Sequence, residues 1–170
     1  MKNKKFLFIS KDPLSLINFR GDFIRSLQLK GFTVSAICND IANQPTTSKL
    51  KNMNIELHNI RYQSGNPLAV VSSIYRMQKI IKVIQPEVIL SYTLIASLFG
   101  SLGAILAKHH NFHSLVTGRG ILFTEANIFF RIRKIIFVNL LRIVYSFNKK
   151  ILFKNKDDAN LFLDLKIVSQ

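Results

Sequence analysis

Two short stretches place polar and cationic residues where a ligand could meet them. Thr117-Gly118-Arg119-Gly120 follows an apolar run and reads as a glycine-rich turn. Glycines let backbone amides approach a ligand closely, and a guanidinium such as Arg119 can grip a phosphate through two parallel hydrogen bonds. The same residues also fit a plain strand-to-loop turn with an exposed Arg. Asn18-Phe19-Arg20 lies near the start of an expected first helix. Asn18 and Arg20 there offer a polar and a cationic contact, although a solvated first turn accounts for them too. Thr93, which closes another apolar run, completes the candidate set.

Other chemistries find less support. His58, His109, His110 and His113 show no metal-ligand spacing, and Cys38 is the single cysteine. No metal and no cofactor are expected. A lone cysteine forms no internal disulfide, which points to a reducing, cytoplasmic setting. No GxGxxG and no GxxxxGK[ST] follows the first strand, so the dinucleotide and P-loop fingerprints are absent.

The elements that must carry these residues alternate. Lys5–Ser10 reads as a strand, Leu14–Lys30 as a helix capped by Gly31, and Phe32–Cys38 as a second strand. That βαβ unit implies parallel pairing by a right-handed crossover. Asn39–Thr47 reads as loop, Ser48–Met53 as a short helix, Ile55–Ile60 as a strand and Arg61–Asn66 as loop. Pro67 suits the first position of a helix over Leu68–Ile84. Val88–Leu90 is a strand ended by Ser91-Tyr92-Thr93, followed by a small-residue helix, Leu94–Lys108, and a strand, His113–Thr117. Ile121–Glu125 reads as loop, Ala126–Phe147 as a long helix, Lys150–Asn155 as a strand and Asp158–Leu165 as a last helix. Strands that are apolar on both faces belong to parallel sheets covered by helices. The expected fold class is therefore α/β, a doubly wound, mostly parallel sheet, in one domain over 1–170. The turn at Gly118–Gly120 would lie at the carboxyl edge, where such sheets bind ligands.

Composition narrows the partners. Hydrophobic residues make up 48% of the 170 and charged residues 19%, which excludes a disordered chain. Lys and Arg outnumber Asp and Glu 24 to 9, a net charge of +15 that favours an anionic partner. Ala126–Phe147 carries Arg131, Arg133, Lys134 and Arg142 among bulky apolar residues and no acid. Such a helix suits the interface of an anionic membrane; a core helix with a cationic outer face fits as well. Aromatics fall at apolar periodic positions rather than among exposed cations, so no nucleic-acid partner is expected.

Three blocks resemble the glycosyltransferase family 4-like enzymes. Leu16–Cys38 resembles the family's opening, with its Asn-Phe-Arg helix start and K-G-x-x-V lead into the second strand. Pro86–Thr124 is similar to the block in which P-D-V-I-x-x-Y/H-T leads through a small-residue helix to T-G-L-G-x-x-F-T. Ile151–Leu163 resembles V-x-F-x-N-x-D-D-x-x-x-F. Thr117 stands where many relatives carry a His, Arg119 replaces the usual Leu, and Leu94-Ile95 replaces a frequent Lys-Pro. The resemblance implies a Rossmann-like half of a GT-B fold, the N-terminal, acceptor-binding domain, without the C-terminal donor-binding domain. It implies transfer of a sugar from a nucleotide-sugar donor, with a second domain or subunit supplying the donor site. The acceptor would be a sugar or lipid-linked sugar in cell-surface polysaccharide or glycolipid synthesis, at the inner face of the plasma membrane. Asn18, Arg20, Thr93, Thr117, Gly118, Arg119 and Gly120 would then line the interdomain cleft, and the chain alone would be inactive. The alternative is a non-catalytic basic α/β module that binds an anionic membrane surface or nucleic acid.

Overall fold

The computed structural model describes residues 4–39, 41, 45–62, 66–118 and 128–169, with the backbone alone at 45 and 128–133. Strands and helices alternate: β1 (Lys4–Ile9), α1 (Pro13–Leu29), β2 (Phe32–Cys38), α2 (Pro45–Asn52), β3 (Glu56–Asn59) and α3 (Pro67–Ile84). Then come β4 (Val88–Tyr92), α4 (Leu94–Leu106), β5 (Phe112–Val116), α5 (Ile128–Tyr145), β6 (Lys150–Phe153) and α6 (Lys156–Asp164). The strands form one sheet in the order β3-β2-β1-β4-β5-β6. Every pairing is parallel. The chain thus winds outward from β1 to β3, crosses back through α3, and winds the other way from β4 to β6. Its direction reverses between β1 and β4, and a crevice opens there at the carboxyl ends of the strands.

Burial follows the two-residue period of the strands. Phe6 and Phe8 of β1 pack with Leu16, Ile24 and Leu27 of α1 on one face. Leu7 and Ile9 point the other way, against Met77 and Ile81 of α3 and Phe99 of α4. A third apolar cluster joins Leu94 and Leu98 of α4 to Phe137, Leu141 and Val144 of α5 and Phe162 of α6.

The small residues of α4 have a packing reason. A methyl group on Gly100 would sit 3.0 Å from Ile9 Cδ1 and Phe112 Cζ, and one on Gly103 would run into the Met77 side chain. Glycine is what lets α4 lie this close to the sheet and to α3. Buried hydroxyls hold the other side of α4. Ser91 and Ser97 lie 2.9 Å apart and Ser91 and Ser114 3.1 Å. Asn148 Nδ2 donates to Ser114 Oγ at 2.7 Å, and Ser101 Oγ donates to Asn148 Oδ1 at 3.0 Å. The ring links β4, β5, α4 and the turn before β6.

Element ends differ from the expected ones for local reasons. Ser91 and Tyr92, read as the close of a strand, belong to β4, because they pair with Ser114 and Leu115 of β5. Pro45–Thr47, read as loop, starts α2, since proline suits a first helical turn. Asn66 caps α3 by accepting from the amides of Leu68 and Ala69. The expected loop Ile121–Glu125 lies outside the described residues.

Candidate functional site

The three adjacent strands β4, β5 and β6 are each followed by a residue of the crevice. Tyr92 of β4 pairs with Leu115 of β5, and Val116 of β5 pairs with Phe153 of β6. Thr93, Thr117 and Lys154 are therefore the first residues past the sheet on three adjacent strands. The helix after β1 brings Ser15, Phe19 and Arg20 to the same place. Together these residues line a cleft of about 390 Å³.

Its electrostatics are one-sided. The cleft holds two cations, Arg20 and Lys154, and no carboxylate or imidazole among its described lining residues. The Arg20 guanidinium lies over the Tyr92 ring, 5.2 Å from its centroid, and its Nη1 donates to the Phe19 carbonyl at 2.8 Å. Its Nε is buried and makes no hydrogen bond among the described residues. Phe19 itself is 68% exposed, an aromatic face presented to the cleft.

Thr93 carries the strain. Its φ of 73° with ψ of 146° lies where a β-branched residue is costly. It occupies the N-cap of α4, yet its side chain accepts no capping hydrogen bond. Thr93 Oγ1 is buried and unpartnered among the described residues. α4 thus begins, directly after a residue of the crevice, without a side-chain cap, and the uncapped positive end of a helix favours an anion.

Tyr92 lines the wall as a neutral phenol at neutral pH. Burial pushes its pKa up to about 12, while hydrogen bonds from Ser10 and Ser15 pull against that shift. Its Oη lies 3.1 Å from Ser15 Oγ. Cys38 is buried, and desolvation with the nearby Asp12 charge pushes its thiol up to about 12, so it is no nucleophile.

Of the residues singled out from sequence, the structure brings Arg20, Thr93 and Thr117 together. Gly118 follows Thr117 directly, and Arg119 and Gly120 lie outside the described residues. Asn18 is exposed and does not line the cleft. Two residues along a helix are turned roughly 200° apart, so Asn18 and Arg20 cannot share a face. Ser15, Phe19, Tyr92, Leu115 and Lys154 join the site without a signal taken from the sequence. Ser15 and Phe19 stand four apart on α1, a spacing that marks a shared face.

On α5, the side chains of Arg131 and Arg133 lie outside the described residues. Arg142 donates through Nε and Nη2 to the Leu165 carbonyl at 3.1 and 2.5 Å, and through Nε to that of Lys166 at 3.2 Å. It therefore ties α5 to the end of α6. Lys134 is half-buried. No three His, Cys, Asp or Glu residues converge among the described residues.

A family model described as "Glycosyl transferase 4-like" matches residues 7–155. The chain belongs to the glycosyl transferase 4-like family. Solved structures share its fold. A glycosyltransferase from Rickettsia africae superposes with a TM-score of 0.64 at 16% identity, over 99% of this chain and 41% of its own. Anabaena Alr3699/HepE in complex with UDP gives 0.58 at 15%, over 95% and 41%. Acinetobacter baumannii MurG gives 0.54 at 14%, over 88% and 41%. No curated protein matches. The chain spans about two fifths of each of these three structures, and its fold is that of one Rossmann-like half of a GT-B glycosyltransferase.

Proposed function

We propose that this chain is the N-terminal, acceptor-binding half of a glycosyltransferase acting in cell-surface polysaccharide or glycolipid synthesis. The observation that carries the reading is the convergence, in one crevice, of two buried polar atoms without partners among the described residues, Arg20 Nε and Thr93 Oγ1. A diphosphate carries the charge that Arg20, Lys154 and the amides at the start of α4 would neutralise. HepE, which shares this fold, was solved in complex with UDP, and that supports a nucleotide-sugar donor. Phe19 and Leu115 supply apolar surface for a sugar ring or the first units of a lipid carrier. Gly118, Arg119 and Gly120, which follow Thr117 in the chain, are the further substrate contacts of this reading. Thr117 brings a hydroxyl where many relatives carry an imidazole, so it orients substrate and takes no proton. The donor site, and any group that removes the acceptor proton, comes from a second domain or subunit facing this crevice.

The same reading puts the chain at the cytoplasmic side of an anionic membrane. Among the described residues no helix is long and apolar enough to cross a bilayer. α5 nonetheless exposes Ile135, Ile136 and Ile143 along its outer side, with Phe147 just beyond its end. Such a surface suits peripheral contact, and Arg131, Arg133, Lys134 and Arg142 are the cationic residues of the same helix that this reading assigns to an anionic membrane.

The test is reconstitution. Purified chain alone should transfer no sugar from any nucleotide sugar, and turnover by it alone would overturn the half-enzyme reading. Chain combined with a donor-domain polypeptide should transfer labelled sugar to a membrane extract. Arg20→Ala should cut that transfer roughly tenfold to a hundredfold, the worth of a hydrogen bond to a charged group. Undiminished transfer by the variant would remove the crevice from the mechanism.

A further inference from the structure

A second cavity lies at the other end of the carboxyl edge. It also measures about 390 Å³ and is lined by Asn59, Arg61, Ala69, Ser72, Ser73 and Arg76. It shares no residue with the crevice. β3 and β4 are three strand positions apart in the sheet, about 14 Å.

The cavity is built, not incidental. Ala69, Ser72, Ser73 and Arg76 are spaced three, four and seven residues apart, so they share one side of α3. Ser73 Oγ reaches the carbonyls of both Arg61 and Ala69 at 2.8 Å, which pins the chain beyond β3 to the helix. The neighbours of Arg61 are tethered as well. Ile60 N donates to the Cys38 carbonyl at 3.0 Å, and Tyr62 Oη donates to the Ser10 carbonyl at 3.1 Å. The cavity's described lining residues include no carboxylate. The start of α3, two residues before Ala69, adds its positive dipole end.

We infer that this cavity is a second ligand site that takes a phosphoryl group. The donor set suits it: two guanidiniums, the Ser72 hydroxyl and the Asn59 amide line the cavity. A phosphate monoester carries three oxygens and a charge of roughly −1.5 to −2, which two guanidiniums match. The volume falls within the ordinary range of small-ligand pockets, about 300–1,000 Å³, so a group attached to the phosphate also fits. The site is independent of the transferase reading.

Calorimetric titration of the whole chain with inorganic phosphate and with a sugar phosphate, beside flotation with phosphatidic acid vesicles, tests this. One site is expected, with Arg76→Gln and Arg61→Gln each weakening it roughly tenfold or more. Lys82→Gln, on an exposed part of α3 away from the cavity, should leave it unchanged. Arginine-dependent saturation by the soluble phosphates assigns a soluble ligand; arginine-dependent binding confined to vesicles assigns a lipid headgroup. Both support a phosphoryl site. Equal loss in Lys82→Gln, affinity unmoved by Arg76→Gln, or no binding in either arm overturns it.

Discussion

Two neighbouring strand-to-helix corners at the same edge of the sheet are built in opposite ways. After β1, Asp12 has extended backbone at φ −122°, and its side chain caps α1 by accepting from the Leu14 amide at 2.9 Å. Ser10 and Ser15 satisfy what remains: Ser10 Oγ accepts from the Asp12 amide, Ser15 Oγ donates to its carbonyl, and Ser15 meets the Tyr92 hydroxyl. After β4, Thr93 has a left-handed φ, no capping bond and a buried hydroxyl without a partner among the described residues. The first corner is arranged for folding. The second holds strain that the packed sheet and α4 tolerate, which is how ligand sites differ from the scaffold around them.

Substitutions at the two corners should therefore move stability in opposite directions. Asp12→Ala removes a satisfied cap and should cost about 1 kcal/mol, lowering the melting temperature by roughly 2–4 °C. An unchanged melting curve would mean the cap contributes nothing. Thr93→Gly should stabilise by a smaller net amount, about 0.5–1 kcal/mol, because relief of the positive φ exceeds glycine's entropic cost. Loss of stability on that change would show that Thr93 is a structural residue and erase the contrast. A third, weaker effect concerns Tyr92, which joins the corners through Ser15. Its pKa is raised from 10.0 to about 12 in the folded chain. A raised pKa contributes stability fully present below 10 and lost as pH rises toward 12. Alkaline unfolding curves should therefore be less steep across that window for Tyr92→Phe. Identical slopes would remove Tyr92 from the linkage, whose remainder comes from Cys38, Tyr62 and Tyr145, all raised by burial.

The contrast between the corners also shows what the residues reveal by themselves. Strand and helix alternation is legible because each strand is an apolar run and each long helix shows its period; all the expected strands form, shifted by one or two residues at their ends. The reversal between β1 and β4 is not visible in sequence, since it depends on which strand pairs with which. Lys154 is hidden for the same reason: it reaches the cleft only because β6 lies beside β5 in register. Thr93 stands out as a candidate from its position after a strand. Its left-handed backbone does not, because a β-branched residue there argues for extended geometry. Asn18 and Arg20 are neighbours in sequence but lie on different sides of α1, and of the two Arg20 lines the cleft. The cap at Asp12 has a local signal that the expected helix over Leu14–Lys30 leaves unused, Asp directly before Pro at a helix start.

The hydroxyl ring beneath α4 bears on how this sequence can drift. Ser91, Ser97, Ser101, Ser114 and Asn148 are each satisfied chiefly by one another. Replacing any one with alanine leaves a buried polar group behind, whereas replacing two facing members together leaves fewer. Substitutions at these five positions should be accepted in pairs, so that a lineage crosses from the polar ring to an apolar one in coupled steps.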